Sequence, residues 1–144
     1  MYNFNMIHLG IDFGTKNIGL AVSDEDGKFA IDIPALRNNP KTIDSEILKV
    51  IESRNIKQII IGLPGLEREN EITKKIRDFA DHVKNLTLKD VIFWDESYSS
   101  KNAESGLRGK RRKTSDSRAA RLVLQEYLDF YQQMNKWKKH LLLY

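Results

Sequence analysis

Acidic residues occur at three well-separated places where a fold could gather them: Asp12, the adjacent pair Asp95 and Glu96, and Asp116. Carboxylates brought together without a counter-ion repel one another and lose hydration, at a cost of several kcal/mol. A bound divalent cation would remove that cost. The chain has no cysteine, which excludes disulfides, zinc-thiolate sites and a thiol nucleophile, and His8, His82 and His140 are scattered. Hard Mg²⁺ or Mn²⁺, which prefers carboxylate oxygen, is therefore the expected ion. Each acid taken alone has an ordinary explanation: a partner for a helix dipole, the start of a turn, or a solvated charge. Convergence is what would turn them into a site.

Convergence depends on the elements that carry them. Residues 6–13 alternate, with Ile7, Leu9, Ile11 and Phe13 on one side and His8, Gly10 and Asp12 on the other. Ile18, Leu20 and Val22 alternate likewise against Gly19, Ala21 and Ser23, and the short link 14–17 predicts an antiparallel hairpin. A third strand is expected over about 28–36, ending near Pro34. Thr42 is a candidate N-cap for a helix carrying Ile43, Ile47, Leu48 and Ile51. A buried strand follows over 58–63, then a helix from about Glu69 with a stripe of Ile72, Ile76, Phe79, Ala80 and Val83. Val91–Trp94 reads as a short strand, with a helical turn or two expected over 99–107. The last helix, capped by Thr114 or Ser115, presents Ala120, Val123, Leu124, Tyr127, Leu128 and Tyr131 on one face.

The predicted order is β-β-β-α-β-α-β-α, an α/β fold with one five-stranded mixed sheet: three antiparallel strands, then βα units, flanked by helices. Asp12 and Glu96 fall at strand ends, and Asp116 in the first turn of the last helix. Asp12 shares its face with Gly10, Gly19 and Ala21, where missing side chains would let the helix bearing Ala119 and Ala120 dock closely.

At 144 residues the chain suits a single domain over 1–144, with about 132–144 as a C-terminal tail. Nothing approaches the roughly 20 apolar residues of a membrane span, and the first residues lack the basic region of a signal peptide, so a soluble cytoplasmic protein is expected. The net charge is only +4, but Arg108, Lys110, Arg111, Arg112 and Lys113 form one dense basic cluster, and Lys136, Lys138, Lys139 and His140 another. Such unevenness is expected of a phosphate-backbone binder.

Residues 11–24, IDFGTKNIGLAVSD, resemble the opening signature of the YqgF family, the pre-16S rRNA nucleases also called RuvX-type Holliday junction resolvases. Ile61-Gly62-Leu63-Pro64, Asp95-Glu96-Ser97 and Asp116-Ser117-Arg118-Ala119-Ala120 followed by Leu124-Gln125-Glu126-Tyr127-Leu128 match in the same order. The resemblance covers the chain to about residue 130. It implies an RNase H-like fold, an acidic metal-binding triad of Asp12, Glu96 and Asp116, and substrate contacts from Lys16 and the basic loop 108–113. Three departures concern those contacts: Asn17 stands where the family usually has arginine, Ser97-Tyr98-Ser99 replaces an arginine-leucine-threonine run, and Gly65-Leu66-Glu67 replaces an asparagine-bearing segment.

The chemistry so implied is phosphodiester hydrolysis with two metal ions about 3.5–4 Å apart, activating water and stabilising the leaving 3′ oxygen. Asp12 would bridge the ions, and Lys16, Arg111 and Arg112 would hold the backbone phosphates. The expected substrate is nucleic acid, either an rRNA precursor, with 5′-end processing of 16S rRNA favoured, or branched DNA. A junction resolvase would call for a two-fold dimer; a monomer or weak homodimer is expected here. Two rivals are a non-catalytic RNA-binding assembly factor and an ATP-binding protein of the actin and sugar kinase superfamily, whose first phosphate loop Asp12-Phe13-Gly14-Thr15 resembles.

Overall fold

The hydrophobic periodicities translate into elements in the expected order. A computed structural model describes residues 6–65, 69–96 and 116–142, the side chain of Asp116 excepted. The chain runs β1 (Ile7–Asp12), β2 (Asn17–Ser23), β3 (Ala30–Arg37), α1 (Ile43–Ser53), β4 (Ile56–Leu63), α2 (Glu71–Thr87), β5 (Asp90–Asp95) and α3 (Asp116–Leu142). One mixed sheet has the order β3-β2-β1-β4-β5. The β1–β2 and β2–β3 pairs are antiparallel, and β4 lies parallel to both β1 and β5. The helical turns expected over 99–107 and the caps Thr114 and Ser115 lie outside the described residues.

Period-two alternation assigns the two faces. Leu9, Ile11, Ile18, Leu20, Val22, Ile59, Ile61 and Leu63 form one core with Ile47 and Ile51 of α1 and Ile76, Ala80 and Val83 of α2. The opposite face offers Ala21 and Ile60 to Ala120, Val123, Leu124, Tyr127 and Leu128 of α3. This second interface is thin because β1 contributes a glycine to it. A Cβ on Gly10 would stand 2.8 Å from the Leu124 Cβ and 3.0 Å from the Ala120 carbonyl oxygen, so α3 lies directly on the β1 backbone. The close docking expected from the small residues is present.

Side chains of α3 also clamp the β2–β3 hairpin. The Gln125 amide accepts from Ala30 N at 2.8 Å and donates to Lys28 O at 2.8 Å, and Arg121 pairs with Asp32 at 3.1 Å. At the other end of β1 from Asp12, His8 is buried, its backbone N–H donating to Ser23 Oγ and its ring edge-on to Tyr127. Burial lowers its pKa, which keeps the ring neutral and structural.

Three local expectations change. Thr42 occupies the N-cap of α1, but its backbone is not extended (ψ −20°) and its side chain makes no capping bond; the Asn39 carbonyl accepts from Thr42 N and Ile43 N instead. In α2 the buried stripe starts at Thr73, whose hydroxyl completes a capping box with Asn70, and Ile72 turns outward. Pro34 does not end β3. It sits where the register slips between Ile18–Leu36 and Leu20–Ile33, a bulge on an edge strand where a missing N–H is tolerated. Helix α3 continues past Tyr131 to Leu142, with Phe130, Met134, Trp137 and Leu141 exposed along its overhang. Among the described residues, no helix is long and apolar enough to cross a membrane.

Candidate active site

Asp12 is the last residue of β1, on the face that carries α3, and it pairs in register with Gly19 of β2. On its other side, the Ile11–Ile61 pairing puts Gly62 of β4 one step further along, and Gly62 pairs with Trp94 of β5. The sheet thus has a side chain at Asp12 with a glycine on either flank. Glu96 follows β5, its backbone N–H donating to the Leu63 carbonyl at 3.1 Å, which locks the turn after β5 onto the end of β4.

From that turn the Glu96 side chain folds back across the sheet. Its carboxylate occupies the space that a Cβ on Gly62 would need. This brings it against Asp12, with which it shares a hydrogen bond, and Glu96 titrates at about 8 instead of near 4.5. Burial is the largest cause, followed by the Asp12 charge, the hydrogen bond with Asp12 and the charge of Asp95. Two carboxyl groups held this way share a proton when no cation is present.

That arrangement fits a hard divalent cation. The donors are two carboxyl groups pressed together and partly dehydrated, so a positive charge between them is strongly favoured over mutual repulsion. Among the described residues no group of three or more His, Asp or Glu side chains is placed to hold an ion. Asp116 opens α3, and its side chain is outside the described set, so the described site is the Asp12–Glu96 pair. His82 is paired with Asp44 on the far layer, at 2.8 Å, and His140 is on the exposed end of α3.

Asp95, adjacent to Glu96, has a different task. Its Oδ1 accepts from Gly65 N at 3.3 Å and so ties the loop after β4 to the end of β5. Lys16 is exposed in the loop between β1 and β2, at the same end of the sheet as Asp12. That loop is braced by Asn38, whose side chain donates to Gly14 O at 2.9 Å and whose backbone N–H donates to Lys16 O at 2.8 Å. Arg108, Lys110, Arg111, Arg112 and Lys113 lie outside the described residues, as do Ser97–Ser99 and Leu66–Glu67.

Two participants escaped the sequence reading. Gly62 reads there only as part of the Ile61-Gly62-Leu63-Pro64 stretch, although its missing side chain makes room for Glu96. Ser117 reads only as part of a motif, yet it is buried and bonded to two strands. The G-L-P and D-S-x-A-A stretches were the available signals.

Known proteins resemble this chain over most of its length. "Putative pre-16S rRNA nuclease" of Maridesulfovibrio salexigens is 37% identical over 129 residues, covering 83% of this chain and 96% of the relative. A protein of the same name from Malacoplasma penetrans is 34% identical over 139 residues, covering 89% and 97%. Among solved structures, Thermus thermophilus RuvC in complex with a Holliday junction substrate superposes with a TM-score of 0.61 at 18% identity, over 90% of this chain and 96% of that one. This last likeness concerns the fold, which is RNase H-like as the resemblance implied. The model of the family described as "RuvX: Holliday junction resolvase" matches residues 6–130, a span holding Asp12, Gly62, Glu96 and Ser117, and the chain belongs to that family.

Proposed function

We propose that this protein is a metal-dependent nuclease that hydrolyses phosphodiester bonds in structured nucleic acid, with 5′-end processing of precursor 16S rRNA as its role. The observation that carries the reading is the Asp12–Glu96 pair: two carboxyl groups on a glycine-flanked sheet face, sharing a proton at the mouth of the strands. Ionising such a pair costs stability, whereas adjacent carboxylates are the donors that Mg²⁺ or Mn²⁺ prefers.

In this reading Asp12, Glu96 and Asp116 hold the cation. Bound ions would supply Lewis acidity toward the scissile phosphate and its attacking and leaving oxygens, in a two-metal arrangement. The chain's own residues do the rest. Gly62 keeps the space in which Glu96 stands. Asn38 braces the loop that carries Lys16, whose ammonium offsets phosphate charge beside the site. Arg108, Lys110, Arg111, Arg112 and Lys113 bind the backbone without reading bases, which makes substrate affinity salt-sensitive.

The RNA substrate is favoured by the names of relatives at 34–37% identity. A four-way DNA junction is the second reading, favoured by the description of the matching family model. In this reading the protein acts in the cytoplasm, as a monomer or weak homodimer. Cleavage of a precursor 16S rRNA fragment and of a four-way junction, side by side with Mg²⁺, Mn²⁺ or EDTA, tests the proposal. Metal-dependent cutting by the wild type and none by Asp12→Asn is the expected result. Equal cutting by the two proteins, or none by either, would turn the reading toward a non-catalytic RNA-binding factor.

A further inference from the structure

Where Pro34 and Ala35 bulge out of β3, the ladder between β2 and β3 is interrupted, and a side chain from the opposite layer is built into it. Ser117, in the first turn of α3 and 4% exposed, donates its hydroxyl to the Ile33 carbonyl at 2.7 Å and accepts from the Leu20 N–H at 3.4 Å. Leu20 and Ile33 are register partners, the first pair after the slip. The hydroxyl therefore joins these two backbone groups through itself, one on each strand. Unlike a generic helix contact, this link is specific in position. It ties the residue after Asp116 to the residue after Gly19, and Gly19 is the register partner of Asp12.

We propose that Ser117 is a positioning residue for the acidic site, its hydroxyl setting the start of α3, and with it Asp116, against the β1–β2 end that carries Asp12. The inference rests on the metal-site reading given under Proposed function. The helix has other anchors, but they act further along. Ala120 and Leu124 pack over Gly10, and Gln125 holds the β2–β3 hairpin at Lys28 and Ala30. These fix how α3 lies on the sheet. Apolar packing leaves a helix free to slide or rotate slightly at its end, whereas a buried hydroxyl with one donor and one acceptor partner has a single satisfactory position.

The test measures Mn²⁺ binding alone, by loss of the free-ion EPR signal, together with thermal melting in EDTA, for wild type, Asp116→Asn, Ser117→Ala and Gln125→Ala. Partners that hold a metal ligand in place typically contribute about 10–100-fold in affinity. Ser117→Ala is expected to weaken Mn²⁺ binding about 10-fold or more. Gln125→Ala, which also loosens α3, should lower the melting temperature and leave Mn²⁺ affinity unchanged. If Ser117→Ala does not fold, Ser117→Cys, of similar volume but a weak hydrogen-bonding group, takes its place with the same expected loss, and Ser117→Thr should restore binding. Wild-type affinity in Ser117→Ala, or equal losses in Ser117→Ala and Gln125→Ala, would overturn the proposal. Unchanged binding in Asp116→Asn would instead overturn the metal-site reading beneath it.

Discussion

Replacing Glu96 with glutamine separates a metal-binding carboxyl pair from a merely structural one, because the two make opposite predictions about stability. In the metal-free protein Glu96 holds its proton up to about pH 8, while the unfolded chain releases it near 4.5. A carboxyl whose folded pKa is raised makes the native state bind more protons than the unfolded state. Stability then falls with rising pH across the window between the two values and is flat outside it. One proton is worth about 1.4 kcal/mol per pH unit. Across a window from about 4.5 to about 8 the loss amounts to roughly several kcal/mol, a large share of the roughly 5–15 kcal/mol that a domain possesses. Glutamine mimics the protonated acid: it is neutral, has nearly the same shape, and can donate to the Asp12 carboxylate. Glu96→Gln should match wild type near pH 5 and exceed it increasingly toward pH 8, by several kcal/mol in chemical denaturation with EDTA present. Mg²⁺ should stabilise the wild type at pH 8 and leave the variant unaffected, and cleavage by the variant should be lost. Wild-type and variant stabilities that run parallel from pH 5 to 8 would refute the shared-proton geometry. A variant markedly less stable than wild type at pH 5 would show that the carboxyl is held for structure.

Other expectations follow from the same contacts. Gly62→Ala places a methyl group where the Glu96 carboxylate stands; since Glu96 can swing outward, stability should change by no more than about 1 kcal/mol, while Mg²⁺ affinity and cleavage fall at least 10-fold in titration and turnover assays. Gly10→Ala meets the Leu124 Cβ and the Ala120 carbonyl, neither of which can move without α3, so urea denaturation should show a loss of about 1–3 kcal/mol, typical of overpacking. Asp12→Asn should abolish metal-dependent cleavage and leave the circular dichroism spectrum unchanged, because Asp12 supports the site and not the core.

Much of this architecture is legible because side-chain alternation is a one-dimensional signal. The run Ile7, Leu9, Ile11 against His8, Gly10, Asp12 already sorts β1 into two faces, and Asp12 is assigned by parity alone to the face with Gly10. Gly10 and Gly19 announce a close approach for the same reason. The stripe of α3 is equally plain, since Ala120, Leu124 and Tyr127 repeat at helical spacing. Pro34 misleads because proline usually ends a strand; its tolerance in β3 depends on an edge position and a bulge, both properties of pairing that no single segment displays.

Gly62 and Ser117 lie beyond such reading for a related reason. Glu96 comes after its strand has ended, where parity no longer states the direction of a side chain, and only the turn locked by the Leu63 carbonyl sends it back over β4. Ser117 acts through a gap that exists only once β2 and β3 have paired with a slipped register. Both residues support the acids through absence or interruption: a missing Cβ in one case, a slipped register in the other. Functional geometry in this fold is thus carried by positions where regular structure is given up. A side chain at 62 would close the space for Glu96, and loss of the hydroxyl at 117 would remove the bond that joins the start of α3 to the Ile33 carbonyl.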